Sequence, residues 1–115
     1  MATLKSKDGN RVILQELNVA MRFWARAKGL LGTSALPARH GLWIHRCNSV
    51  HTFFMKYTID CIFLDAKMRV VSVVQNVAPG RMVWPQWGAS SVVEIAGGQA
   101  GGLGLKMGDE LYVGN

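Results

Sequence analysis

The sequence has little of several features that define whole classes of protein. Its 115 residues include only two cysteines, too few for a small fold held together by disulfides. No segment approaches the run of about 18 apolar residues that a membrane-spanning helix needs. Half of the residues are nevertheless hydrophobic, which excludes low-complexity disorder. We therefore expect residues 1–115 to form a single domain that is large enough to bury a core.

Acidic residues are scarce as well. Seven Asp and Glu stand against thirteen Lys and Arg, which gives a formal net charge of +6. This balance permits contact with nucleic acid, anionic lipid or an acidic partner but indicates none of them. Because the sequence has neither an RNP motif nor a helix-turn-helix pattern, nucleic acid is an unlikely partner, and any such binding should be weak and nonspecific.

The N-terminal residues MATLKSKDGNR lack the apolar core of a signal peptide. We therefore expect a cytoplasmic protein, or an exported one if a signal has been removed from this chain. We also expect a monomer without a membrane span.

Motifs for cofactors and metals are missing too. The glycine-rich segment GGQAGGLGLKMGD is not a phosphate-binding loop, because Lys106 is followed by Met107 rather than by Ser or Thr. Cys47 and His51 have the spacing of half a zinc site, but a second pair is absent. We expect no cofactor and no metal. Cys47 and Cys61 are expected to be reduced thiols, although one disulfide is possible if the strands bring them together.

What the sequence does contain is a series of short apolar segments separated by turn residues. Thirteen glycines and three prolines suit a turn-rich β-structure better than a helical bundle. We predict an α+β fold that is rich in β-structure, a mostly antiparallel sheet or partly closed barrel with one short helix near Met21–Leu31. The predicted strands cover residues 3–7, 11–17, 41–45, 50–55, 58–64, 69–77, 90–96 and 110–113, with a helical turn near 99–103.

The stretch from Ser49 to Asp65, SVHTFFMKYTIDCIFLD, is the most apolar part of the chain, yet it carries Asp60 within a predicted strand. Glu94 lies in the middle of another predicted strand. A buried carboxylate must be hydrogen-bonded, paired or neutral. We therefore predict that both acids are at least partly buried and bonded to backbone amides or to each other. The alternative is that they act as general acid and base or contact a ligand.

Turns explain another group of residues. Asp65 sits in a predicted hairpin turn, where a bond from its side chain to the backbone would account for it. The residues that we assign to structural turns are Asp65, Pro79, Gly80, Gly98, Gly108 and Asp109.

The loop Trp84-Pro85-Gln86-Trp87 suggests a binding site. Two tryptophans are costly to leave in water because each ring carries a large apolar area. They must pack into the core, cover a neighbour or contact a ligand, and core packing is the simplest of these. For the ligand alternative, we predict a cleft between this loop and the strand that carries His51. The candidate binding residues are His51, Phe53, Met55, Asp60, Trp84, Trp87 and Glu94.

Several motifs in order give the chain a family resemblance. HTFFMKYTIDCIFLD is followed by RVV, Pro79-Gly80-Arg81, VVEIAGG and GLKMGDEL, and is preceded by RAKGLLG, LP and GLWI. This pattern resembles the prokaryotic family catalogued as domain of unknown function 192, over about residues 22–113. The positions that match the family's recurrent residues are Gly29, Leu30, Met55, Ile59, Asp60, Phe63, Asp65, Pro79, Glu94, Gly98, Gly108 and Asp109.

The resemblance implies a compact, β-rich domain with a little helix, and no particular activity. The chain departs from the family at Leu31, where relatives often have Met, and at Lys67-Met68, where many have Gly in the turn. Many relatives carry export signals that this chain lacks.

Three functions are compatible with the sequence. The first is a binding module for a small molecule, a sugar or a peptide segment, with the candidate residues above. The second is a hydrolase-like enzyme that uses Asp60 and Glu94, or His51, although no nucleophile elbow is present. The third is weak, nonspecific binding of nucleic acid through exposed basic residues. We favour the binding module, and an enzyme is not expected.

Overall fold

The structure is a computed structural model that describes residues 2–20, 36–53 and 55–114. It is rich in β-structure, with 51% of the described residues in strands. The described strands are β1 Ala2–Ser6, β2 Val12–Ala20, β3 His40–His45, β4 Val50–His51, β5 Ile59–Leu64, β6 Val70–Val77, β7 Met82–Val83, β8 Ser91–Ala96 and β9 Leu111–Gly114.

The strands form two sheets of unequal size. The larger has seven strands in the order β6-β5-β8-β3-β2-β1-β9, and the smaller contains only β4 and β7. Among the described strands, β2 and β3 pair in parallel, with Leu17 opposite Gly41, and the other pairs are antiparallel. The prediction of a mostly antiparallel sheet is therefore confirmed, with one parallel pair that makes the sheet mixed.

The alternative prediction of a partly closed barrel is wrong, because the large sheet stays open. Its two edge strands, β6 and β9, approach each other at one end only. There the isolated bridge Arg69–Glu110 is flanked by the bond from Val70 N to the oxygen of Asp109, at 2.8 Å. A single bridge cannot continue the ladder, because a barrel requires each strand to pair along its length.

The helix predicted over Met21–Leu31 lies outside the described residues. Helical structure in the described part of the chain is the 3-10 turn Ala100–Leu103, which ends at Gly104 in a left-handed conformation with φ 67°. No helix in that part is long and apolar enough to cross a membrane. The strand predicted over residues 50–55 is confirmed only at Val50–His51, and β7, Met82–Val83, lies outside the predicted strands.

Both faces of the large sheet are covered at its centre. Every residue of β5 is buried, and neighbouring side chains enter two different clusters. Ile62 and Leu64 belong to a cluster on one face, and Cys61 and Phe63 belong to a cluster on the other. This arrangement explains the unbroken apolar run of β5, since a strand covered on both sides needs no polar face.

Candidate functional site

Asp60 is the buried carboxyl group that the strand pattern predicts. It is 0% exposed, and its two oxygens accept hydrogen bonds from the backbone N–H groups of Asn76 at 2.7 Å and Ala100 at 2.8 Å. Asn76 has a left-handed φ of 57°, and Ala100 begins the 3-10 turn. The prediction of a buried, amide-bonded Asp60 is confirmed. Its side chain connects β5 to β6 and to the 3-10 turn.

Glu94 is also 0% exposed, which confirms its predicted burial. In β8 it lies between Leu42 of β3 and Cys61 of β5 in the sheet register. Two buried acids that occupy neighbouring strands could have formed a pair. They do not share a face, because the register places Asp60 opposite Ile95 and Glu94 opposite Cys61.

Asp65 is bonded in a different way, at the turn between β5 and β6. Its Oδ1 accepts hydrogen bonds from the N–H groups of Lys67 at 2.8 Å and Arg69 at 2.9 Å, and its Oδ2 contacts the Arg69 guanidinium at 2.9 Å. The hydrogen bond from the Arg69 backbone contributes most to lowering the pKa of Asp65 below its ordinary value. Asp109 similarly accepts a bond from the N–H of Lys106 at 2.8 Å.

A cavity of about 560 Å³ lies beside β4 and β7. One wall is the connection from the end of β3 to β4, and the other is the segment from β7 to Pro85. The described residues that line it are Ile44, His45, Arg46, Cys47, Asn48, Ser49, Val50, His51, Met82, Val83, Trp84 and Pro85. Six of these twelve side chains are apolar and five are polar or basic, with Cys47 as the twelfth. Small-molecule sites likewise combine apolar walls with polar groups that fix the orientation of the ligand.

Hydrogen bonds hold the two walls in place. The N–H of Gln86 donates to the oxygen of Asn48 at 2.8 Å, which ties one wall to the other. The side-chain amide of Gln86 donates to the oxygen of Trp84, also at 2.8 Å. Thr52, 0% exposed, donates through its hydroxyl to the oxygen of Ala78 at 2.6 Å and accepts from the N–H of Arg81 at 2.8 Å. Both walls of the cavity are therefore held in place by hydrogen bonds within the protein.

The predicted binding residues separate into two groups. His51 and Trp84 line the cavity. Phe53 stacks on the His51 ring with the ring centroids 5.0 Å apart, but it is not part of the lining. Met55, Asp60, Trp87 and Glu94 also lie outside the lining, and of these Met55, Asp60 and Glu94 are buried. The structure thus brings the His51 strand and the Trp84 loop together, as the sequence predicts for a cleft.

The two tryptophans of the loop are not packed in the core. Trp84 is 76% exposed and Trp87 is 92% exposed, so the simplest sequence interpretation is wrong for both. Trp84 lines the cavity, whereas Trp87 lies in the turn that the bond from Ala89 N to the oxygen of Gln86 closes, outside the lining. Met82, which is 56% exposed, adds a further apolar side chain to the cavity rim.

The described lining of the cavity contains basic side chains but no acidic ones. Its lining contains Arg46 and two histidines but no carboxylate among the described residues. Residues 17–59 and 66–93, which include both walls, contain no Asp or Glu at all. His45 also has a buried ring nitrogen, Nε2, without a hydrogen-bond partner in the described part of the chain. Such an atom is costly to bury unsatisfied, and a polar group is therefore favoured near it.

No group of three His, Cys, Asp or Glu side chains within the described ranges could hold a metal ion. Cys47 and Cys61 are not joined by a disulfide. The Cys47 Sγ donates to the oxygen of Ser49 at 2.8 Å, so this side chain helps to shape the connection before β4.

Sequence reasoning missed the wall formed by residues 44–49, together with Met82, Val83 and the bracing residue Gln86. One signal was available, because Arg46, Cys47, Asn48 and Ser49 form a polar interruption between two apolar strands. Loops of this kind carry binding residues more often than strand interiors do. The two-residue ladder that pairs β4 with β7 has no comparable signature in the sequence.

Two curated relatives match most of the chain. A UPF0127 protein of Thermococcus sibiricus is 31% identical over 116 residues, which cover 94% of this chain and 72% of the relative. A UPF0127 protein of Pyrococcus horikoshii is 36% identical over 99 residues, which cover 84% of this chain and 85% of the relative.

Two crystal structures are similar in fold. A protein of unknown function from Novosphingobium aromaticivorans has a TM-score of 0.79 at 25% identity, over 96% of this chain and 82% of that one. A protein from Sinorhizobium meliloti, described as a candidate transcription regulator, has a TM-score of 0.81 at 18% identity, over 97% of this chain and 91% of that one. The second likeness shows the fold alone.

The family model for DUF192, described as "Uncharacterized ACR", matches residues 3–113, and the chain therefore belongs to the DUF192 family.

Proposed function

We propose that this protein is a binding module that holds a small molecule, a sugar or a peptide segment in the cavity beside β4 and β7. The observation that carries the proposal is the cavity itself, about 560 Å³ in volume, with Trp84 at its edge. Small-molecule sites commonly measure about 300–1,000 Å³ and combine apolar walls with a few polar groups. Trp84, 76% exposed, would bury apolar area only when a ligand covers it.

Pre-formed walls support the proposal. The bonds of Gln86 and Thr52 fix the two segments before any ligand arrives. Binding to ordered walls loses less conformational entropy than binding to loops that must first become ordered. Pro85 also restricts the backbone between Trp84 and Gln86.

The two alternatives receive less support. A hydrolase that uses Asp60 and Glu94 would need carboxylates that reach a substrate, but both are 0% exposed. A hydrolase that uses His51 would have this side chain in the cavity lining, but the described lining residues include no carboxylate to orient it. Nucleic-acid binding is supported only by the net charge of +6. The similarity to the Sinorhizobium meliloti protein, at 18% identity, does not support a function for this chain.

The proposal predicts where ligands bind in a screen of metabolites, oligosaccharides and short peptides. In amide NMR spectra, a bound ligand should shift the signals of Asn48, His51 and Trp84, which belong to both walls. Trp84→Ala should weaken binding by about ten-fold, because an aromatic contact contributes about 0.5–1.5 kcal/mol beyond the apolar area that it buries. Trp87→Ala is the matched control, since Trp87 is an exposed tryptophan of the same loop that does not line the cavity.

Both variants should unfold at the same urea concentration as the parent within experimental error, because exposed side chains away from the core contribute little to stability. Equal losses of binding in the two variants would locate the ligand elsewhere on the loop. Hits that shift only distant amides would end the proposal.

A further inference from the structure

All seven acidic residues are placed away from the cavity or are buried. Asp60 and Glu94 are inside the protein. Of the other five, Asp8 lies in the turn between β1 and β2. Three form ion pairs within the fold: Glu16 contacts His40 at 2.8 Å, Asp65 contacts Arg69, and Glu110 contacts Lys7 at 3.1 Å. Asp109 accepts a hydrogen bond from the N–H of Lys106. The surface around the cavity therefore has no carboxylate to repel an anion.

The described arginines fall into two groups, those whose guanidinium groups bond within the fold and those whose guanidinium groups do not. Three of them use their guanidinium groups within the fold: Arg11 donates to the oxygen of Leu103 at 2.6 Å, Arg39 to the oxygen of Val12 at 3.3 Å, and Arg69 to Asp65 at 2.9 Å. The guanidinium groups of Arg46 and Arg81 make no hydrogen bond or ion pair with any described residue. Both arginines are exposed beside the cavity, and Arg46 is part of its lining.

From this distribution we infer that the ligand of the cavity is an amphipathic organic anion. Its carboxylate or phosphate group is held by Arg46, and its apolar or aromatic body lies against Trp84 and Met82. A guanidinium group presents paired N–H donors that match the oxygens of a carboxylate or phosphate. The inference rests on the proposed function, because it assigns a ligand class to the same site.

The backbone of Arg46 provides a clean way to remove this side chain. Arg46 has a left-handed φ of 53°, and Arg39 has one of 63°. Glycine adopts this conformation without steric cost, so Arg46→Gly removes the guanidinium and leaves the turn intact. Arg39→Gly is a matched control, because it removes the same charge from an exposed, left-handed position outside the cavity lining.

Two aromatic probes of nearly equal shape test the ligand class. Naphthalene-2-carboxylate carries the anionic group, and 2-naphthalenemethanol replaces it with a neutral one. For the parent protein at low salt, we expect the carboxylate to bind about ten-fold more tightly than the alcohol, since hydrogen bonds to charged groups are the stronger ones. Both titrations are followed through the amide signals of Asn48 and Val83. Arg46→Gly should abolish the preference, whereas Arg39→Gly should retain it.

The outcomes distinguish a wrong ligand class from a wrong binding site. If both probes shift the cavity amides with equal affinity, the binding site stands and the anionic ligand is refuted. An Arg39→Gly protein that loses the preference as fully as Arg46→Gly also refutes it, because the effect is then one of net charge. If neither probe shifts the cavity amides even at millimolar concentration, the amphipathic anion is refuted as the ligand class, and the binding site itself is decided by the screen of metabolites, oligosaccharides and peptides.

A further arm identifies the source of the anion. Sedimentation with phosphatidylcholine vesicles, with and without phosphatidylglycerol, reports binding to a lipid headgroup. Vesicle binding that needs both phosphatidylglycerol and Arg46 would identify an anionic lipid as the ligand. Binding of naphthalene-2-carboxylate without any vesicle binding would identify a soluble anion. Either result supports recognition of an anionic group by Arg46.

Discussion

Asp60 lies in β5 and Arg46 directly follows β3, and a single strand, β8, separates these two strands in the sheet. The two charged side chains are used in opposite ways. Asp60 is fully buried, and both of its oxygens accept backbone N–H groups. Arg46 is exposed, and its guanidinium group makes no hydrogen bond or ion pair with a described residue. The first side chain belongs to the internal bonding of the fold, and the second is free to contact a ligand.

The same contrast extends to the surroundings of each residue. Around Asp60, the backbone N–H groups of Asn76 in β6 and of Ala100 in the 3-10 turn both donate to this side chain. Around the cavity, apolar and basic side chains stay exposed although the walls themselves are hydrogen-bonded. Substitutions near Asp60 should therefore change stability, and substitutions at the cavity surface should change binding.

The largest effect should come from Asp60→Ala. Removing the carboxyl group leaves the N–H groups of Asn76 and Ala100 without acceptors, and each unsatisfied buried donor costs about 1–3 kcal/mol. We expect a loss of about 3 kcal/mol in the free energy of unfolding by urea. Amide hydrogen exchange should accelerate at Asn76 and Ala100 first.

Asp60→Asn is the control for this experiment. It keeps one carbonyl oxygen as an acceptor and should lose less stability than Asp60→Ala. The cavity should still bind its ligand in any fraction of the protein that remains folded. A melting curve of Asp60→Ala that matches the parent would show that the two amide bonds do not stabilise the fold.

The sequence predicted the buried acidic residues better than it predicted the exposed cavity. Asp60 and Glu94 could be recognised as buried because each interrupts a run of strand-forming apolar residues, and local patterning is sufficient for that conclusion. The hairpin of β5 and β6 was equally visible, since a turn at Asp65 joins two apolar runs.

The cavity could not be predicted to the same extent because its two walls are distant in sequence. His51 and Met82 are neighbours only through the short ladder of β4 and β7, and no local pattern encodes that pairing. The loop tryptophans were recognised as candidates, but their spacing does not show that Trp84 faces the cavity and Trp87 does not. The parallel pairing of β2 and β3 depends on the connection between them and was missed for the same reason.

An intermediate effect is expected for Thr52→Val, which tests whether the cavity walls also depend on buried polar bonding. The change preserves the shape of the side chain but removes the hydroxyl that connects Ala78 and Arg81. We expect a loss of about 1–2 kcal/mol in unfolding free energy. Faster hydrogen exchange should follow at Arg81, and ligand affinity should fall because the adjacent β7 wall is less ordered.

A serine at this position provides the control. Thr52→Ser keeps the hydroxyl and should preserve the exchange rate of Arg81, although it removes a buried methyl group. If Thr52→Val and Thr52→Ser accelerate exchange at Arg81 equally, the wall is held by packing rather than by the hydroxyl.

The smallest effect on stability is expected for substitution of Asp65, which shares features with both buried Asp60 and the exposed residues of the cavity. It is partly accessible to solvent, like the cavity residues, but its oxygens are engaged, like those of Asp60. The pKa of Asp65 is lowered from its ordinary value of 3.8, chiefly by the hydrogen bond from the Arg69 backbone. A lowered pKa means that the folded protein favours the ionised form, so the stability from this group is complete above the unfolded pKa.

That contribution should disappear as the pH falls from about 4 through the lower pKa of the folded state. Asp65→Asn should therefore be less stable than the parent near neutral pH, and the difference should shrink in acid. Arg69→Gln separates the causes, because it removes the guanidinium but keeps the backbone N–H that contributes most to the shift. The carboxyl pKa of Asp65, followed by NMR, should remain below 3.8 in Arg69→Gln. A return to the ordinary value in that variant would show that the ion pair, rather than the turn backbone, holds the carboxylate in its charged form.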